Sequence, residues 1–122
     1  MAEPADPAAR ITDYHAHIYY APETRPIAER LRVAIGERFT ARIGAWHDEP
    51  VGPHPTAMYQ VAFAAEELPR LVPWLMLNRE GLDILVHPTT DDSVADHTRH
   101  AAWLGRPLPL RLEVLRRASR AG

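Results

Sequence analysis

The first clear pattern along the chain is a period of two. It runs through Asp13-Tyr14-His15-Ala16-His17-Ile18-Tyr19-Tyr20, inside a strand predicted over Ile11–Tyr20. Successive side chains of a strand point to opposite faces, so Tyr14, Ala16, Ile18 and Tyr20 share one side and Asp13, His15, His17 and Tyr19 the other. The first side suits a core. The second sets two imidazoles, a phenol and a carboxylate in a row.

The period then becomes helical. Ile27, Leu31, Ala34, Ile35 and Phe39 recur at helix spacing, with Thr24 placed as a cap and Pro26 near the first turn. Thr40–His47 reads as a second strand, and Asp48–Pro55 as a loop holding Gly52 and three prolines. In Thr56–Phe63, a third strand, Ala57, Tyr59, Val61 and Phe63 alternate with Met58, Gln60 and Ala62. Glu66–Asn78 is a second helix with Leu68, Leu71, Val72, Leu75 and Met76 on its apolar face. Pro69 fits its first turn, Pro73 is expected to bend it or mark a later start, and Gly81 stops it. Leu82–His87 is a fourth strand. Asp91–Leu104 is expected as a third helix, capped by Asp91, Asp92 or Ser93 and ended by Gly105. The alternation of Leu108, Leu110, Leu112 and Val114 predicts a short fifth strand or extended edge segment.

The order strand–helix–strand–strand–helix–strand is that of a ferredoxin-like split βαβ fold, an α+β sandwich with an antiparallel sheet and both helices on one face. A further C-terminal helix and an edge segment are expected after it. The division is a mobile arm at residues 1–10, one domain over 11–115 and a frayed basic tail over 116–122. The sheet face without helices must become a ligand cleft, a dimer surface or both, and a symmetric homodimer is the expectation.

Composition narrows the chemistry. The chain has 122 residues, no cysteine, and a net charge of -2. Disulfides, thiolate nucleophiles and iron–sulfur ligation are excluded, so any metal must be held by His, Asp, Glu or Tyr. All the basic residues are Arg, which excludes Schiff-base chemistry by a lysine. The charge gives no reason to expect nucleic acid or an anionic membrane as partner. No apolar run suggests a membrane span, and Met1–Arg10 lacks the features of a signal peptide, so a cytoplasmic location is expected.

The seven histidines stand at 15, 17, 47, 54, 87, 97 and 100. With Leu82, Ile84 and Val86 facing the helices, His87 joins His15 and His17 on the open face. In the ferredoxin-like order the first and fourth strands are antiparallel neighbours, which sets the end of the fourth, at His87, beside the start of the first, at His15. Directly opposed residues have Cβ atoms roughly 4.5–5.5 Å apart, close enough for three imidazoles to meet on one ion. His54, in Gly52-Pro53-His54-Pro55, is placed at a cleft rim near Tyr19, as a substrate-binding or acid/base group or a ligand. Helical phase puts His97 inward with Val94, Ala101 and Leu104. His47 and His100 are expected to be solvated. Trp74 and Trp103 read as core or interface anchors, and Trp46 as a candidate lining for an aromatic ligand.

The blocks DYHAHIYY, VGPHPTAMYQVAF and LVPWLMLNREGLDILVHPTTDDSVADHTRHAAWLG, in this order and spacing from Ile11 to Leu110, resemble the small DOPA 4,5-dioxygenases of fungi and bacteria. The resemblance implies a ferredoxin-like fold, commonly dimeric, and non-haem iron(II) chemistry that uses dioxygen to open a catechol ring beside its two hydroxyls. It implies functional roles for the motif histidines His15, His17, His54, His87 and His97. We assign His15, His17 and His87 as metal ligands, with zinc or another divalent ion able to stand in for iron. His54 and His97 are acid/base or substrate-orienting groups, and Tyr19 and Gln60 hydrogen-bond the substrate. Asp13 shares the open face and is placed to supply the carboxylate common among non-haem iron oxygenases. Arg42 or Arg79 could pair with a substrate carboxylate. Two other readings stay open: a non-catalytic dimeric module holding a structural metal or small ligand, and a metal-dependent hydrolase with Asp13 as base.

Overall fold

The computed structural model describes residues 6–121, with side chains as far as residue 117. Its sheet is built from β1 (Asp13–Tyr19), β2 (Arg42–Ile43), β3 (Met58–Phe63), β4 (Ile84–Thr89) and β5 (Ala102–Leu104) in the order β2-β3-β1-β4-β5. Every neighbouring pair is antiparallel. Helices α1 (Arg25–Arg38) and α2 (Leu68–Asn78) cross between strands and cover one face, while α3 (Ser93–Asp96) and α4 (Leu112–Ala121) follow β4 and β5. This is the ferredoxin-like α+β sandwich expected from the element order.

The alternation read from β1 holds residue by residue. Ala16, Ile18 and Tyr20 lie in a core with Tyr59, Val61 and Phe63 of β3 and Ile84 and Val86 of β4, beneath Leu31 and Ile35 of α1 and Leu71 and Leu75 of α2. Each large side chain removed from water here contributes ~1.5–3 kcal/mol before the entropy of ordering it. Tyr59 fits this layer because its hydroxyl donates to the Ala28 carbonyl oxygen at 2.9 Å. In α2, Pro69 sits in the first turn and Pro73 inside the helix, on its exposed side, so the helix continues through it. Thr24 holds the N-cap position of α1, but its hydroxyl closes the preceding turn by accepting from the Ala21 N–H at 2.9 Å.

Three expectations are corrected. The second strand shrinks from Thr40–His47 to Arg42–Ile43. Strict alternation would send Trp46 to the open face; the chain instead breaks after Gly44 and turns the indole into the helix-side core, edge-on to Tyr20 and Tyr59. Trp46 therefore lines no cleft on the histidine face. The third helix stops after one turn. Buried Asp96 reaches back to the Thr90 N–H at 2.8 Å and its hydroxyl at 2.6 Å, and the Thr98 hydroxyl donates to the Val94 carbonyl oxygen. Such local side-chain bonds compete with helix propagation, and the chain returns as β5 beside β4.

The segment with Leu108 and Leu110 forms no strand; it crosses the open face, and α4 begins at Leu112 and runs through Arg116. Leu108 and Leu110 of the alternating leucines thus pack within the chain over Tyr19, Met58 and Leu85, and the His15 side of the face stays open. Pro7–Arg10 forms a short 3-10 turn capped by Asp6, while residues 1–5 and 122 of the expected arm and tail lie outside the described residues. Among the described residues no helix is long and apolar enough to cross a membrane.

Candidate metal centre

The open face of β1 and β4 carries the site. His15 pairs with His87 in direct register, and His17 is one step along, opposite Leu85 on β4 and Gln60 on β3. Each of His15, His17 and His87 offers a ring nitrogen within 4.8 Å of the other two. His17 and His87 are buried, whereas the His15 side chain is 22% exposed and forms the solvent side of the group. The strand alternation dictates this grouping: the same pleat that buries Ala16 and Val86 on the helix side turns these imidazoles to the other.

His54 and His97 complete a nest of five rings. The His54 ring lies 4.2 Å from that of His17, and the His97 ring 4.1 Å from that of His87, centroid to centroid. His54 is buried, and the carbonyl of its neighbour Pro53 accepts from the Arg111 N–H at 2.8 Å, which ties the loop to the covering segment. His97 arrives inward as expected, but at the end of one-turn α3 and not on the long helix whose phase suggested it.

Hydrogen bonds fix how these rings present their nitrogens. His87 Nδ1 lies 2.8 Å from the Pro88 carbonyl oxygen and His97 Nδ1 2.7 Å from that of Ser93. A carbonyl can only accept, so both Nδ1 atoms carry protons, and in its neutral form such a ring offers a lone pair at Nε2. The Tyr19 hydroxyl meets His54 Nδ1 at 2.7 Å. His17 Nε2 approaches His87 Nε2 to 3.0 Å, while His17 Nδ1 is buried with no partner.

That arrangement fits a cation. A core histidine is ordinarily satisfied by a carbonyl or carboxylate, and His17 has neither. Two nitrogens bound at right angles to one ion at about 2.1 Å stand about 3.0 Å apart, the separation seen between His17 and His87. The electrostatics agree. Burial holds the His17 ring far below the ordinary imidazole pKa, with His54 and His87 adding to the effect. Burial, then His97, pushes both His54 and His87 down to about 4. His15 is also lowered, by burial first, against the opposing charge of Asp13. Neutral rings with converging lone pairs are what a transition-metal ion requires of its ligands.

Asp13 Oδ2 stands 3.6 Å from His15 Nε2 and 3.5 Å from the Arg42 guanidinium, at the rim and outside the three-ligand group. Asp13, Arg42 and Ala62 also line a cleft of about 780 Å³ that adjoins the His15 side. Arg42, in register with Ala62, is on the histidine face; Arg79 instead bonds the Leu82 carbonyl where α2 turns into β4, at the far end. His47 bridges to Met58 at half-buried depth, His100 is exposed, and neither joins the group.

Sequence reasoning missed the cover. Tyr19, Met58 and Leu85 form an apolar floor roofed by Ala101, Trp103, Leu108 and Leu110, with Trp103 stacked on Tyr19 at 5.9 Å. The alternation Arg106-Pro107-Leu108-Pro109-Leu110 signals an extended, non-helical stretch, though not the face it lies on.

Known proteins share this organisation. A crystal structure of a candidate dioxygenase from Nostoc punctiforme superposes with a TM-score of 0.92 at 50% identity, covering 94% of this chain and all of that one. A 21.2 kDa protein of Botryotinia fuckeliana described as uncharacterised is 38% identical across 96% of this chain and 70% of its own length. The DOPA 4,5-dioxygenase of Amanita muscaria is 32% identical across 85% of this chain, which spans half of that protein. Residues 14–114 match the Dopa 4,5-dioxygenase family as a whole, and the chain belongs to that family.

Proposed function

We propose that the protein is a non-haem iron(II) dioxygenase that cleaves a catechol such as DOPA at the 4,5-position, beside its two hydroxyls. The observation that carries this reading is the group of three neutral imidazoles, His15, His17 and His87, gathered on one face by two paired strands in a chain of this family. These rings would hold the ion. Bound there, iron(II) supplies positions for both catechol oxygens and for dioxygen.

The protein's own groups do the rest. Holding catechol in one orientation removes the entropy cost of a chance encounter. Substrate enters from the His15 side, where the cleft lined by Asp13 and Arg42 opens, because the opposite end is roofed by Trp103, Leu108 and Leu110. The apolar floor and roof exclude water from the buried end. His54 and His97 serve as the acid/base and substrate-orienting groups for the catechol hydroxyls and the developing product, a role in which a well-placed imidazole contributes roughly 10²–10⁴ in rate. Gln60, opposite His17 in register, is placed to bond the substrate.

The test is anaerobic reconstitution with iron(II), followed by DOPA or caffeate in air. Ring opening gives a yellow semialdehyde. His15→Ala, His17→Ala and His87→Ala should each lose both iron and colour. Full iron occupancy in His87→Ala overturns the ligand set; metal retention by the wild type without colour under any of these conditions favours a structural-metal module instead.

A further inference from the structure

We propose that Tyr19 is a positioning residue: its phenol fixes the His54 imidazole with the proton on Nε2, making His54 a hydrogen-bond donor that orients bound substrate and leaving His97 as the proton acceptor of the site. The role in the reaction rests on the dioxygenase reading; the ring state of His54 does not.

Two observations carry it. The Tyr19 side chain is buried, and among the described residues its hydroxyl has one hydrogen-bond partner, His54 Nδ1 at 2.7 Å. A buried phenol left without an acceptor costs about 1–3 kcal/mol, so the hydroxyl donates and Nδ1 accepts. The proton of the neutral His54 ring then sits on Nε2.

His97 is held in the opposite state. Its Nδ1 donates to the Ser93 carbonyl oxygen at 2.7 Å, which leaves Nε2 as a lone pair. The two rings are 6.4 Å apart across the nest, one presenting N–H and the other a lone pair. The locks also differ in kind. His97 is set by backbone, which no substitution removes, whereas His54 depends on one side-chain oxygen. Tyr19 itself is braced by the Trp103 stack, and the His54 loop by the Arg111 N–H bond to Pro53. The covering segment therefore supports both partners of the dyad.

Tyr19→Phe removes only the oxygen and keeps the stack. The primary measurement is ¹⁵N–¹H correlation spectroscopy of histidine-labelled, metal-free full-length protein at slightly alkaline pH, with the His54 signals assigned by His54→Gln. The wild type should show a protonated Nε2 and an unprotonated Nδ1 at His54. Tyr19→Phe should lose that preference while the His97 and His87 patterns persist. In the iron-loaded enzyme the same variant should lower kcat by at least about tenfold with little change in KM. A wild-type His54 protonated on Nδ1 overturns the proposal. So does an unchanged His54 pattern in Tyr19→Phe, even if turnover falls, because the loss would then be structural. A wild type that opens no catechol ring sinks the dioxygenase reading alone, since the spectrum reads the His54 ring without substrate or metal.

Discussion

The two faces of this sheet are made by the same strands and differ in nearly every physical respect. On the helix side, Ile18 of β1 packs with Tyr59 and Ile84 under Leu31, Ile35, Leu71 and Leu75. Regular helices provide that cover, and the Tyr59 hydroxyl carried deep into it has a carbonyl partner. On the other side, His17 is one residue away and equally hidden from water, yet its nitrogens meet only another imidazole or nothing. Its cover is Trp103 of the short edge strand β5 and the irregular segment with Leu108 and Leu110. One face is built to stabilise the chain. The other accepts a desolvation cost that a bound cation would offset, and perturbed buried groups of this kind are characteristic of binding sites.

Substitutions at adjacent positions should separate the two. Ile18→Ala on the helix face should destabilise the protein by ~2–5 kcal/mol in urea denaturation, because it leaves a cavity in a closed core. Acid should act mainly through the other face. The His54 and His87 rings ordinarily titrate near 6.5 and are pushed down to about 4 when folded, so the unfolded chain binds protons first. Their stabilising contribution is complete above pH 6.5 and falls away as pH drops toward about 4. The metal-free protein should therefore lose urea resistance across that window, and bound metal should move the loss to lower pH. The smallest stability effect belongs to His17→Leu/His87→Leu. Removing both partners of a poorly satisfied polar pair should leave the metal-free protein within about 1 kcal/mol of wild type, or more stable, while abolishing metal binding. A large destabilisation by this pair would erase the contrast between the faces.

Much of this contrast was legible in the sequence. Alternation in Asp13–Tyr20 assigned each side chain to its face, and the ferredoxin-like order paired β1 with β4, which together place His15 against His87. Those signals are local or topological, and periodicity records them. His97 reached the site although the long helix that suggested its direction does not form, because Asp96 and Thr98 bond locally and end α3 after one turn. Trp46 went to the helix side because a break after Gly44 reverses the alternation, and a single unpaired turn leaves no periodic trace. The roof was hidden for a further reason. Leu108 and Leu110 read as an extended stretch, but their partners Tyr19, Met58 and Leu85 lie far away in sequence, and no local pattern names a distant surface.

The most direct measurement of the central claim is anomalous diffraction from crystals of the full chain grown anaerobically with iron(II). The account predicts one strong peak per chain, about 2.1 Å from a ring nitrogen of each of His15, His17 and His87. A peak ligated by other residues, or its absence with iron present in excess, would contradict it.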